Sequence, residues 1–184
     1  MKDRRMWLGL LSPPVALTFI SVSIAIHPWF DWNENALSDL GATGTGHAWV
    51  FNIGLILAGT FAMAFSTYLI EEAEGTGEKA GAILFFLASL SMALIGIFPE
   101  GTSPHFEVSA LFYLLSVIAM SIYGVCLWRR HTPYGPASLV MVALGMAMAF
   151  IPGWTSAAIP EAIGAVAIGA WVYMMIYAME KGGI

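Results

Sequence analysis

Positive charge is scarce in this chain. Seven Lys and Arg stand among 184 residues. No basic run exists that could track a phosphate backbone, which excludes nucleic acid as a partner. Charged residues of both signs make up 10% of the sequence, against roughly 25% in soluble domains. Cysteine is limited to Cys126, so neither an intrachain disulfide nor a CxxC metal knuckle can form. Cys126 lies in an apolar segment and reads as a small packing residue. His47, His105, Asp39 and Glu100 lack the local spacing of a zinc site such as HExxH, so no metal is expected. Nothing in the pattern specifies a cofactor.

What is abundant is apolar surface, at 59% of residues. A water-soluble fold could not bury that much, so lipid must be the solvent for most of the chain. A spanning helix needs about 20 mostly apolar residues. Six segments fit: Met6–Ile26, Ala48–Ile70, Ala80–Ile97, His105–Trp128, Pro136–Ile151 and Pro160–Met179. The fifth is short and could begin nearer Tyr134. Gly75, Gly77, Pro99, Gly101, Pro133, Gly135 and the Pro152-Gly153 pair punctuate them. The expectation is one all-α domain over residues 1–184, an integral membrane bundle of six transmembrane helices.

The few positive charges give an orientation. Lys2, Arg4, Arg5, Lys79, Arg129, Arg130 and Lys181 all fall at the termini or in the 2–3 and 4–5 connections. The positive-inside rule then places both termini in the cytoplasm of a multi-pass protein of the cell membrane. The basic start ahead of Met6–Ile26 has the look of a signal peptide. Pro13-Pro14 and the five spans that follow make it a retained first helix. The 1–2 connection is different in character. It carries Trp29, Phe30 and Trp32, suited to the headgroup zone, and Asp31, Glu34 and Asp39 without a positive partner.

A weak parallel repeat relates spans two and three to spans four and five. GIFPEG at Gly96–Gly101 corresponds to AFIPG at Ala149–Gly153, which sets Pro99 against Pro152 and Asn52 against His105. With or without a repeat, Asn52, His105 and Glu161 each open an inward-running helix at its outer end.

The spans hold almost no charge at depth. Proteins place such groups mid-membrane for ion coupling or proton relay, so their absence argues against a pump. Polarity gathers instead at the outer face. Asn33–Gly41 can form one or two helical turns, capped by Asn33 and ended by Gly41. Asn35 and Asp39 would share one side of it, Glu34 and Ser38 another, with Ala36, Leu37 and Leu40 pressed to the membrane or into the bundle mouth. A second cluster is Phe98–Glu107, where Ser103 is expected to cap the fourth helix with Pro104 at its first position. His105, Ser109, Tyr113, Ser116, Met120 and Tyr123 then follow one interior face at helical spacing. His105 could serve as a base toward Ser38, oriented by Asp39 or by Glu100. No GxSxG elbow supports a hydrolase, and adjacent Ser38 and Asp39 would diverge on a turn. The plain structural alternative is a turn and a packing seam whose polar groups satisfy backbone.

N-ALSDLG at Asn35 and Ser38 to Gly41, FN at Phe51-Asn52, and IFPEG followed by His105 together resemble a six-span prokaryotic membrane family catalogued as domain of unknown function 998. The resemblance runs over nearly the whole chain. It implies the six-span fold and makes Asn35, Ser38, Asp39, Gly41, Asn52, Phe98, Pro99 and His105 signature positions. The family often carries its acidic residue one place after the position of Glu100. It is distantly similar to eukaryotic six-span proteins linked to lipid remodelling and autophagy. It brings no established activity.

Three readings follow. The first is an outer-leaflet site for membrane lipids, binding or modifying them. There His105, Asp39 and Ser38 are candidate catalytic groups, and Asn35, Asn52, Glu100, Glu161, Ser109 and Tyr113 are candidate substrate contacts. The second is a permeation pathway for a small uncharged solute along the Ser109–Tyr123 stripe. The third is a structural partner that docks another membrane protein through Trp29, Phe30 and Trp32. The sequence does not specify an oligomeric state.

Overall fold

The computed structural model describes residues 3–150 and 153–182. Among them run six α-helices: α1 Arg4–Ile26, α2 Ala48–Glu72, α3 Thr76–Ile97, α4 His105–Arg129, α5 Tyr134–Ala149 and α6 Ala158–Glu180. A short 3-10 turn, Leu37–Gly41, interrupts the 1–2 connection. Five helices are long and apolar enough to cross a membrane, and α5 is the exception. With 16 residues, α5 is about 24 Å long at 1.5 Å per residue, short of the roughly 30 Å hydrocarbon core. It begins at Tyr134, two residues before the span expected at Pro136. The expected end at Ile151, and the Pro152 of the repeat, lie outside the described residues. The fold is that of an all-α, multi-pass membrane protein.

The chain folds as consecutive hairpins, with α6 closing back on α1. Small residues set the closeness of α2 and α3. A Cβ at Gly59 would stand 2.7 Å from the Ala93 nitrogen and 2.8 Å from the Ser89 carbonyl oxygen, so only glycine admits this approach. α1 continues through Pro13 and Pro14. Two missing amides are tolerable because neighbouring helices re-satisfy backbone. Beside them the Ser12 hydroxyl donates to the Ala58 carbonyl at 2.8 Å.

One end of the bundle is tied by ion pairs. Arg5 reaches Glu71 at 2.5 Å, and Arg130 reaches Glu74 at 2.8 Å and Glu78 at 3.0 Å. The N-terminal residues and the 2–3 and 4–5 connections therefore share a face. Hydrogen bonding to Arg5 draws the Asp3 carboxyl down to about 2, and the hydrogen bond to Glu78 pushes Arg130 up. Inside this half a dense core forms around Trp171, Phe65, Phe85, Leu69, Met120, Tyr123, Leu127 and Met175. Trp171 stacks edge-on with Phe85 and Tyr123, and its indole N–H donates to the Ser138 hydroxyl at 3.0 Å.

The opposite end is knit by loops. The Thr43 amide donates to the Glu100 carbonyl at 2.9 Å and the Ala158 amide to the Asn35 carbonyl at 3.3 Å. Hydroxyls of Thr155 and Ser156 donate to the Asn33 and Trp32 carbonyls, each at 2.6 Å. The 1–2 connection is thus a lid clamped to both the 3–4 and the 5–6 connections. Leu37 and Leu40, at 5% and 0% exposure, plug the bundle mouth, one of the two placements open to them from sequence.

A candidate amphiphile site at the loop-knit end

The 1–2 lid is positioned by its own backbone demands. Asp31 Oδ1 accepts from the Asn33 amide at 2.7 Å, and Asn35 Oδ1 accepts from the Asp31 amide at 2.8 Å. Asp39 Oδ2 accepts from the Ala36 amide at 2.8 Å. The turn is capped at Ala36. Asn33 is therefore not its cap, because the turn begins at Leu37, four residues further on. Gly41 ends the turn as expected. Asn52 latches it, its Nδ2 donating to the Gly41 carbonyl at 3.0 Å.

The start of α4 differs from the expectation in one respect. The residue before the helix is Pro104, and no side chain caps it. Ser103 is exposed, and the His105 amide donates instead to the Thr102 carbonyl at 3.2 Å. The turn does the capping, so a hydroxyl is not required there.

His105 is buried in the first turn of α4, at 5% exposure. Its Nδ1 lies 2.8 Å from the Phe98 carbonyl oxygen. A carbonyl only accepts, so Nδ1 carries hydrogen and donates. The other nitrogen, Nε2, lies 2.8 Å from Glu100 Oε2, and the Ser109 hydroxyl approaches it at 3.4 Å. Of the two carboxylates that could orient His105, the geometry selects Glu100. Asp39 faces its own turn.

Glu161, four residues into α6, completes the ring. Its Oε2 accepts from the Leu37 amide at 2.7 Å, and its backbone carbonyl accepts from the Tyr113 hydroxyl at 3.2 Å. Asp39 and Glu100 both lie within electrostatic range of it. The carboxyl thus sits between the lid and α4, at the mouth of the bundle.

Beneath this ring α4 and α6 make little direct contact, and α5 lies across the gap. The gap is a cavity of about 530 Å³, within the roughly 300–1,000 Å³ of small-molecule sites. Its upper wall is Ser38, Glu100, His105, Ser109, Tyr113 and Glu161, and its lower wall is Val117, Met120, Met141, Val142, Gly145, Gly164 and Ile168. Phe106 and Phe150 flank the rim, 78% and 74% exposed. From His105 to Met120 the cavity follows α4 for about 22 Å at 1.5 Å per residue. A second space of about 90 Å³ lies toward α1 and shares Ser38, Ser109, Tyr113 and Glu161.

Of the nine candidate catalytic and substrate-contact residues, six converge on the cavity: Ser38, Glu100, His105, Ser109, Tyr113 and Glu161. Asp39, Asn35 and Asn52 hold the lid in place. The α5 and α6 wall was not legible in sequence, nor was His27. That buried ring faces the Ser23 carbonyl at 2.6 Å through Nδ1 and the Gly46 carbonyl through Nε2, tying the end of α1 to the end of the lid. A histidine closing an apolar helix just before Pro28 was its only signal. Among the described residues no three His, Cys, Asp or Glu side chains gather in a metal-holding group.

No curated protein and no solved structure matches this chain. Residues 10–178 match a family described as a protein of unknown function, DUF998. That match takes in both loop clusters and reaches into all six helices, the cavity-forming α4, α5 and α6 among them, and the chain belongs to that family.

Proposed function

We propose that this protein binds a membrane amphiphile in the α4–α5–α6 cavity, its polar head held by the His105–Glu100 pair and Glu161. One observation carries the reading: a single cavity that is polar at its mouth and apolar for the rest of its length. Amphiphiles have that division, and small uncharged solutes do not. The cavity's floor residues, Met120, Met141, Val142 and Ile168, belong to or pack on the Trp171 core. A blind end supports a binding site over a through path.

The basic end of the bundle is the cytoplasmic one by the positive-inside rule, which sets the cavity mouth in the outer leaflet. Trp29 and Trp32, 47% and 41% exposed on the lid, suit the headgroup zone there. Nε2 of His105 and the Glu100 carboxylate face each other at 2.8 Å at the cavity mouth, within reach of a bound head. Modification of the lipid would begin from this pair, with Ser38 and Ser109 the nearby hydroxyls.

The test is photo-cross-linking in cells. A photoreactive residue at Val117, inside the cavity, should yield lipid adducts, and one at Leu111, on the exposed face of α4, should give a different lipid profile. Identical bulk-lipid adducts at both positions, or none at Val117, would reject the proposal.

A further inference from the structure

We infer that the ligand of this cavity is a single-chain amphiphile whose head donates hydrogen bonds and carries no negative charge, an amine or a hydroxyl. The inference rests on the amphiphile reading and adds the class of ligand.

The head chamber carries two carboxylates, with the Ser38 and Ser109 hydroxyls beside them, and, among the described residues, no lysine or arginine. Glu100 and Glu161 face it, and Asp39 stands within electrostatic range. Its one cationic candidate is His105, and both nitrogens of that ring already have partners. The Tyr113 hydroxyl is likewise committed, to the Glu161 carbonyl. Every Lys and Arg of the sequence belongs to the termini or to the 2–3 and 4–5 connections. Those connections join at the far end of the bundle. A phosphate or carboxylate head would therefore meet carboxylates with no lysine or arginine to offset them. An ammonium or hydroxyl head finds the reverse: carboxylate oxygens ready to accept charge-assisted hydrogen bonds.

The tail chamber sets the chain count. Below Tyr113 the cavity runs on as an apolar arm bounded by Val117, Met141, Gly145, Gly164 and Ile168. Its length along α4 suits one alkyl chain, and the second space, about 90 Å³, is too small for another. Gly145 and Gly164 keep the arm open. A Cβ at Gly164 would meet the Tyr113 ring at 2.7 Å and drive that ring into the cavity.

The experiment uses the full chain in phosphatidylcholine nanodiscs at pH 8, with a diazirine-bearing long-chain alcohol as the probe. Dodecylamine, dodecanol and dodecanoate, equal in chain length, compete for cross-linking to cavity peptides. The amine and the alcohol should each displace the probe at concentrations at least about tenfold below dodecanoate, a difference of roughly 1.4 kcal/mol. Glu161→Gln and Glu100→Gln should each narrow the gap between amine and acid, because each removes a carboxylate charge from the head chamber and keeps an amide oxygen as acceptor. If dodecanoate competes as well as the others, the head assignment is overturned and the amphiphile cavity stands. If the probe marks no cavity peptide, both fall. The ranking in the unmodified protein decides the matter even where a variant does not fold.

Discussion

Replacing His105 and replacing Glu100 should have unequal effects on stability, although the two side chains touch. His105 is 5% exposed and donates to the Phe98 carbonyl that ends α3. His105→Ala removes that bond, leaves a carbonyl without its donor and opens a hole in the first turn of α4. Leaving an acceptor without its donor costs about 1–3 kcal/mol, and a loss in that range is expected. The Glu100 side chain is 41% exposed, and ion pairs in that setting contribute about 0–1 kcal/mol. Glu100→Gln keeps an acceptor for Nε2 and should shift stability by less than about 1 kcal/mol. Unfolding in mixed bicelles by steric trapping measures both. Yet both variants should narrow the preference for an amine over an acid head, because each disturbs the Glu100 carboxylate that faces the head. Equal destabilisation by the two variants would refute the reasoning, since it would mean the ion pair and not the Phe98 carbonyl fastens the loop.

Gly145→Leu should abolish cross-linking of the alcohol probe without loss of stability. A Cβ there meets only Ala167, at 3.7 Å, and replacing a mid-helix glycine adds about 1 kcal/mol of helix propensity; a thermal melt beside the cross-linking assay separates the two effects. Gly41→Ala should lower stability by about 1–3 kcal/mol through overpacking, because its Cβ would press on Asn52 Oδ1 and stand 2.7 Å from Phe51 Cδ1. Adding Asn52→Ala should recover part of that loss, so the double variant melts above the sum of the single changes. In a Cys126→Ala background, a cysteine placed by Ser103→Cys should react with a membrane-impermeant maleimide in intact cells, and one placed by Glu72→Cys only after lysis; the opposite pattern would invert the assigned orientation.

The helices were legible because each apolar run is bounded by glycine, proline or charge. Ala48, Ile97 and His105 fall where the pattern put them. The interior stripe on α4 was legible for the same reason: His105, Ser116, Met120 and Tyr123 are buried, with Ser109 and Tyr113 partly so. The facing of α5 and α6 was not. They are apolar all the way round, and a helix with no polar side carries no periodic mark of which face meets a neighbour. The choice between Asp39 and Glu100 depended on backbone demand. Once the turn begins at Leu37, the Ala36 amide takes the Asp39 carboxylate. Glu161 drew notice as a lone carboxyl at a helix start. Its bond to Leu37 spans 124 positions, and no local pattern encodes a contact of that range.

The most direct test of the central claim is a structure of the protein determined in lipid, read at the cavity between α4, α5 and α6. Elongated density along Val117, Gly145 and Ile168, with its head within hydrogen-bond reach of Glu100, His105 or Glu161, is the predicted result. A cavity closed by α5 packed directly onto α4 and α6, with His105 and Glu161 bonded only to backbone, would contradict it and leave these residues as fasteners of the lid.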